Sequence, residues 1–217
     1  MSRIVITGAN RGIGLELARQ RYEDHEVIAL VRKPSDGLKE LGVQIEAGFD
    51  VTDPASIQAV ADRLEGIDVL INNAGVLKMS SLDSLQWDDI RAQMEVNAYG
   101  PLRVSAALVP KMNEDSRIAI ITSRMGSLGD NTSGGAYGYR MSKCAVNMAG
   151  VSLAHDLRPK HISVGLLHPG YVRTQMTGGN GHVDPDEAAA MLWERIDEID
   201  SENSGTFWHA NGEVLPW

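Results

Sequence analysis

The chain of 217 residues carries one cysteine, Cys144, so no disulfide can form within it and the expected compartment is the cytoplasm. It has no run of about 20 apolar residues and no charged leader joined to an apolar stretch, so neither a membrane span nor a secretory signal is expected. Positive charge is also short: 20 Lys+Arg stand against 29 Asp+Glu, a formal net charge of −9. Such a surface repels nucleic-acid phosphates and anionic lipid, which excludes both as first partners. The six histidines show no spacing of the H-E-x-x-H kind, and one thiol cannot build a thiolate site, so no metal is expected. Repeats, low-complexity tracts and long linkers are missing too. A single domain over residues 1–217 is the expectation. Glycine, by contrast, is in excess: 22 residues, about 10% against a usual ~7%.

Short apolar runs recur along the chain at Arg3–Thr7, His25–Val31, Val43–Phe49, Ile67–Ile71, Arg117–Thr122 and Ile162–Leu167. Segments with helical periodicity separate most of them, which predicts an α/β fold: a doubly wound parallel Rossmann-type sheet with helices on both faces. Asp53-Pro54 and Asp184-Pro185 each read as an N-cap before a first-turn proline, and Glu187 completes a capping-box spacing. One long helical stretch, about Trp87 to Met112, is expected to break near Gly100-Pro101, and another runs from about Tyr139 to Leu157. Gly126–Gly138 and Thr177–His182 read as loops after strands, at the sheet edge where such folds bind ligands. The aromatic end of the chain, Phe207-Trp208 and Trp217 with Leu215, should pack on the sheet edge or at a subunit contact.

The turn after the first run reads Thr7-Gly8-Ala9-Asn10-Arg11-Gly12-Ile13-Gly14. Glycines there let backbone approach a pyrophosphate, and the following helix aims unpaired N–H groups at it. The same glycines would also serve a ligand-free connection, and taken alone they do not separate the two readings. Tyr139 and Lys143 stand at i, i+4 on a predicted helix, which sets phenol and ammonium on one face as an acid/base pair. A nearby lysine cation is expected to lower the phenol pKa towards the working pH. Tyr137 competes less well, because Met141 stands four residues on.

Several motifs occur together and in order: Thr7-Gly8-x-x-x-Gly12-Ile13-Gly14, Asn72-Asn73-Ala74-Gly75, Asn97, Ser123, Tyr139-x-x-x-Lys143, and Pro169-Gly170 with Val172 and Thr174. In this the chain resembles the short-chain dehydrogenase/reductase family, and its C-terminal part is similar to carbonyl-reductase-like and C-factor-like members. The resemblance implies about seven strands and a nicotinamide dinucleotide held by Gly8, Asn10, Arg11, Gly12, Ile13 and Gly14 on the phosphate side. It implies further contacts from Arg32, Asp50, Val51, Asn73, Ala74, Gly75, Tyr139, Lys143, Pro169, Gly170, Val172 and Thr174. Asp50 would reach the adenine, or would only shape the turn before Asp53. Asn72 would bond neighbouring strands.

The predicted second strand ends in Val31-Arg32-Lys33, two cations where an acid would receive the ribose hydroxyls of NAD, and Arg11 adds a third. NADP(H) is therefore the expected cofactor. Asp36 would serve NAD(H) if the strand ended later.

The implied activity is hydride transfer between the nicotinamide and a carbonyl or alcohol carbon of a small molecule. Tyr139 would exchange the proton, Ser123 steady the oxygen, Lys143 tune Tyr139 and hold the ribose, and Asn97 hold a relay water. Ser127 is an alternative to Ser123, whose 16-residue separation from Tyr139 is longer than in many members. The short Thr174–Asp184 segment, with Gly178, Gly179 and Gly181, would form an open substrate loop, and His168 and His182 flank it. A homodimer or homotetramer is expected. A signalling or scaffold protein with vestigial activity is the second reading, against which the complete Asn97, Ser123, Tyr139, Lys143 set argues. Tyr139→Phe is expected to abolish turnover while NADPH still binds, and turnover at the wild-type rate would remove Tyr139 from the chemistry.

Overall fold

A computed structural model describes all 217 residues. The elements run β1 (Arg3–Thr7), α1 (Gly12–Arg19), β2 (Glu26–Val31), α2 (Asp36–Glu40), β3 (Gln44–Ala47), α3 (Pro54–Ala61), β4 (Ile67–Asn72), α4 (Trp87–Met94), α5 (Gly100–Leu108), β5 (Met112–Ile121), α6 (Tyr137–Leu157), β6 (Ser163–His168), α7 (Pro185–Glu198) and β7 (Phe207–His209). All seven strands are parallel and lie in the order β3-β2-β1-β4-β5-β6-β7. The chain winds outward from β1 to β3, then returns to place β4 on the other side of β1. That reversal opens a crevice beyond the carboxyl ends of β1 and β4. No helix is long and apolar enough to cross a membrane.

The strands read as unbroken apolar runs because both faces of the sheet are covered. Val5, Ile28, Leu30, Leu70, Ile118 and Ile120 pack with α3, α5 and α6 residues such as Ile57, Val104 and Val146. Their neighbours Ile4, Ile6, Val27, Ala29, Ile71 and Ala119 point the other way, against Leu17 of α1 and Leu192 and Ile196 of α7. Both caps expected at helix starts form: Asp53 accepts from the Ala55 N–H at 2.9 Å, and Asp184 and Glu187 make a reciprocal capping box.

Two expectations are corrected. The break in the long helical stretch is a π-turn over Glu95–Tyr99, ahead of Gly100-Pro101, and those two residues instead open α5. Proline needs no N–H partner in a first turn, so it starts this helix instead of breaking one. Met112 lies beyond any helix and begins β5, which therefore starts five residues before the expected Arg117. Asp115, at φ 58°, kinks that early part, and the pairing with β4 shifts register there. The aromatic end supplies the seventh strand: β7 pairs with β6, and Phe207 and Leu215 are buried beside Leu166.

Candidate active site

A groove of about 580 Å³ occupies the crevice. Its wall includes Gly8, Asn10, Arg11, Gly12, Ile13, Gly14, Arg32, Lys33, Asp50, Val51, Asn73, Ala74, Gly75 and Thr174. Helix α1 opens onto it with no side-chain cap, so its first N–H groups are left for a bound group. Gly12 faces the groove at φ 54°, where an L side chain is strained. Gly14 does different work: a Cβ there would lie 2.4 Å from Asn73 Nδ2 and 2.5 Å from the Gly8 carbonyl oxygen. It is required by the chain's own packing before any ligand arrives.

Asn73 donates to the carbonyls of Thr7 (3.0 Å) and Gly8 (3.2 Å), and the Thr7 hydroxyl accepts from the N–H groups of Asn73 and Ala74, both at 3.0 Å. Thr7 was not anticipated from the sequence as a functional side chain. Its signal is a hydroxyl on the last strand residue before the glycine turn.

At the far end of the groove β2 stops at Val31, so Arg32 and Lys33 stand exposed on the wall. Asp36 lies in α2, is 91% exposed, and pairs with Lys39 at 2.9 Å instead of entering the groove. Ser35, also unanticipated, ties this region to the glycine turn: its hydroxyl donates to the Asn10 carbonyl at 2.7 Å and its N–H to the Asn10 side chain. The Asp50 carboxylate accepts from the Thr52 N–H (2.9 Å) and hydroxyl (2.8 Å). Burial pushes its pKa up, but those bonds and the charge of Arg32 outweigh it and hold the carboxyl below its ordinary value. The turn-shaping role of Asp50 is thus visible, and it borders the groove as well. Asn72 donates to Ser105 at 3.1 Å and joins β4 to α5.

Ser123, Tyr139, Lys143 and Asn97 gather beyond the Gly75 end of the groove. Ser123 lies two residues beyond the end of β5 and caps a 3-10 turn over Arg124–Gly126. Its Oγ accepts from the Met125 N–H at 3.1 Å, and the hydroxyl lies near enough to the Tyr139 phenol to oppose the rise of its pKa. Lys143, 5% exposed, donates to the Ile121 carbonyl at 2.9 Å, and its Nζ lies 5.8 Å from the centre of the Tyr139 ring. A Cβ on Gly75 would stand 3.8 Å from that Nζ, so the groove runs directly up to the ammonium.

Burial lowers the Lys143 pKa to about 8. Burial also raises the Tyr139 phenol above its ordinary value, opposed only by the Ser123 hydroxyl. This corrects the expectation that Lys143 depresses the phenol. Burial of the phenol is the larger effect, and the Lys143 Nζ stands 5.8 Å from the ring centre.

Asn97 forms the π-turn, and its side chain is engaged by the protein. Its Nδ2 donates to the Val76 carbonyl (2.8 Å) and Ser142 Oγ (3.0 Å), while Oδ1 accepts from the Val76 N–H at 2.8 Å. Ser127 Oγ accepts from the Asp130 N–H at 3.0 Å, a turn contact. Pro169, Gly170 and Val172 lie outside the groove wall; Val172 bridges to Val183 and fixes the base of the 174–184 loop. The tip of that loop is exposed, and Gln175 accepts from Arg11 across the groove. His168 packs edge-on against His209 at 5.0 Å, and burial, followed by the charges of neighbouring groups, drives its pKa down to about 3. It is a neutral packing group. His182 stacks edge-on against Tyr171 at 5.5 Å.

The Ser-x-x-Gly spacing has a steric cause. A Cβ on Gly126 would lie 2.7 Å from the Lys143 carbonyl carbon and 2.9 Å from the Cys144 nitrogen, both backbone atoms that cannot turn aside. Gly126→Ala is therefore expected to cost about 1–3 kcal/mol in urea unfolding and to separate Ser123 from Tyr139. The buried amine generates a pH dependence. Between about 8, its folded value, and 10.5, its ordinary one, the unfolded chain holds a proton that the folded chain has released. Stability therefore rises with pH across that interval. Lys143→Met is expected to flatten this rise in unfolding titrations.

The sequence model of the family described as "short chain dehydrogenase" matches residues 2–183. The chain is 42% identical to 1-hydroxy-2-glutathionyl-2-methyl-3-butene dehydrogenase of Rhodococcus sp. (strain AD45), over the full length of both. It is 46% identical over 155 residues to the C-signal of Myxococcus xanthus, covering 70% of this chain and 93% of that one. The fold superposes on the NADPH-bound carbonyl reductase from chicken fatty liver with a TM-score of 0.91 and 30% identity, covering 100% of this chain and 99% of that one. With its sheet order, its glycine turn and its Ser123, Tyr139 and Lys143 cluster, the chain belongs to the short-chain dehydrogenase/reductase family of oxidoreductases.

Proposed function

We propose that this protein is an NADP(H)-dependent carbonyl reductase, working reversibly on a small carbonyl or alcohol. The observation that carries the reading is the buried Ser123, Tyr139 and Lys143 cluster, met at Gly75 by a groove whose opposite end bears Arg32 and Lys33. The residues fit a nicotinamide dinucleotide: uncapped N–H groups of α1 for the pyrophosphate, Asp50 and Val51 for the adenine, Arg32 with Lys33 and Arg11 for a 2′-phosphate, and Ala74, Gly75 and Thr174 towards the nicotinamide. When bound, that group supplies or accepts the hydride.

The chain's own residues handle the proton. A phenol raised by burial is fully protonated at neutral pH, so Tyr139 is set to give its proton to a carbonyl oxygen, the direction of reduction. Ser123, beside that phenol, donates to the same oxygen and steadies charge developing on it. Lys143 stands behind the phenol and receives the charge left there once the proton has gone. Asn97 locks the loop after β4 to α6 and so fixes the distance between Gly75 and Lys143.

Substrate choice is assigned to the exposed 174–184 loop, whose pinned base and glycine-rich tip favour a permissive pocket. The relative named as the dehydrogenase of a glutathionyl alcohol supports an alcohol or carbonyl substrate. Exposed Tyr99, Leu102, Met141 and Met148 near and on α5 and α6 offer an apolar face for a second copy of this chain, in keeping with a homo-oligomer. The resemblance to C-signal favours one further reading, a signalling protein that binds the dinucleotide and turns over little.

Titration with NADPH and NADH, then a panel of aldehydes, ketones, quinones and dicarbonyls, tests the proposal. NADPH should bind the more tightly, and Arg32→Glu should reduce that preference about tenfold or more, the loss of one charged phosphate contact. NADPH binding with no turnover on any carbonyl favours the signalling reading.

A further inference from the structure

Ser123 and the start of the helix that carries Tyr139 are joined by a long connection, 124–136, and nothing inside its exposed middle, Asn131–Gly134, dictates how those ends meet. Near Tyr139 the loop is fastened to its own helix: Arg140 donates to the Gly134 carbonyl (3.2 Å) and to Ser133 Oγ (2.9 Å), and the Ala136 N–H donates to the Ser80 carbonyl (2.7 Å). Near Ser123 it also touches that helix, through Gly126 on the Lys143 backbone and the Arg140 guanidinium on the Met125 carbonyl (3.4 Å), and it is fastened in addition to a different part of the molecule. Arg124, the residue after Ser123, pairs with Asp130 inside the loop and with Glu213 outside it, both at 3.0 Å. The Gly129 N–H donates to the Trp217 carbonyl at 2.7 Å.

Glu213 and Trp217 belong to the segment that turns back after β7, and that segment is firmly seated. Leu215 is 3% exposed and its N–H donates to the Phe207 carbonyl at 2.8 Å; the His209 N–H donates to the Glu213 carbonyl at 2.8 Å. Trp217 stacks on Phe207 at 5.4 Å between ring centres. Phe207 itself is wholly buried in the sheet.

From this we infer that the returning segment, through Glu213 on Arg124 and the Trp217 carbonyl on Gly129, is a positioning element that sets Ser123 against Tyr139. The inference rests on the carbonyl reductase reading for its effect on rate, but the tie itself is independent of any activity. A loop this long gains many conformations when its outer fastening is cut, and a small displacement of Ser123 is enough to break a hydrogen bond and slow a step that depends on it. The Arg124 contacts are partly exposed, so their contribution is geometric more than energetic.

Two variants cut the tie differently. Glu213→Gln removes one charge, and Gly129→Ala leaves every charge in place but sets a Cβ 3.1 Å from the Trp217 carbonyl oxygen. In both, kcat for a carbonyl that the wild type reduces should fall about tenfold while NADPH affinity and thermal midpoint hold. The alkaline limb of the kcat profile should move to higher pH, because the phenol loses the neighbouring Ser123 hydroxyl that opposes the effect of its burial. Amide exchange in 124–136 should quicken, and Glu213→Asp should restore part of the rate. Unchanged exchange in both variants overturns the tie. Unchanged kcat and pH profile with quickened exchange overturns its positioning role, as does a parallel fall of kcat, NADPH affinity and thermal midpoint. If the wild type reduces no carbonyl, the reductase reading fails, and the exchange measurement then decides the tie alone.

Discussion

The groove rests on one stitch. Where β1 and β4 end side by side, the strand carbonyls of Thr7 and Gly8 have left the sheet ladder, and the Asn73 amide spans both. A buried carbonyl without a donor would be costly, so the amide is held closely. Its position then dictates its neighbours. Position 14 has no room for a Cβ, Thr7 turns its hydroxyl to the next two N–H groups, and α1 is drawn in with its open end facing the crevice. The uncapped helix end in the crevice follows from the way two parallel strands close their ends.

The Ser123, Tyr139 and Lys143 cluster shows a similar economy, with burial as the main agent. The same desolvation moves Tyr139 and Lys143 in opposite directions, phenol upward and amine downward, so each is drawn towards its uncharged form. The Ile121 carbonyl and Ser123 are the partners that keep the pair usable, one holding the amine in place and one opposing the rise of the phenol. Gly126 lets the turn carrying Ser123 lie against the backbone of the helix carrying the other two. Three side chains from α6 and the turn after β5 are thus coupled by one contact that only glycine permits.

Similarity to a carbonyl reductase extends over the whole chain, and similarity to C-signal over 70% of it. What differs between members of such a family is carried by peripheral parts. In this chain those are the 174–184 loop and the segment after β7, one bordering the groove and the other bonded to the turn behind Ser123.

Much of this was legible beforehand. Six of the seven strands announce themselves as apolar runs because a sheet covered on both faces needs no polar alternation, and Asp53 and Asp184 mark helix starts because capping is a local matter. The pairing of Tyr139 with Lys143 follows from helical spacing alone. The sequence by itself therefore determined the fold class, the order of elements and which residue types meet at the sheet edge. Only the tertiary structure decided that Asp36 faces away from the groove, that Thr7 and Ser35 brace it, and that the phenol pKa rises instead of falling. It alone joined Glu213 to Arg124, 89 residues apart. Local spacing encodes local geometry, whereas desolvation and long-range contacts depend on everything that the folded chain brings around a group.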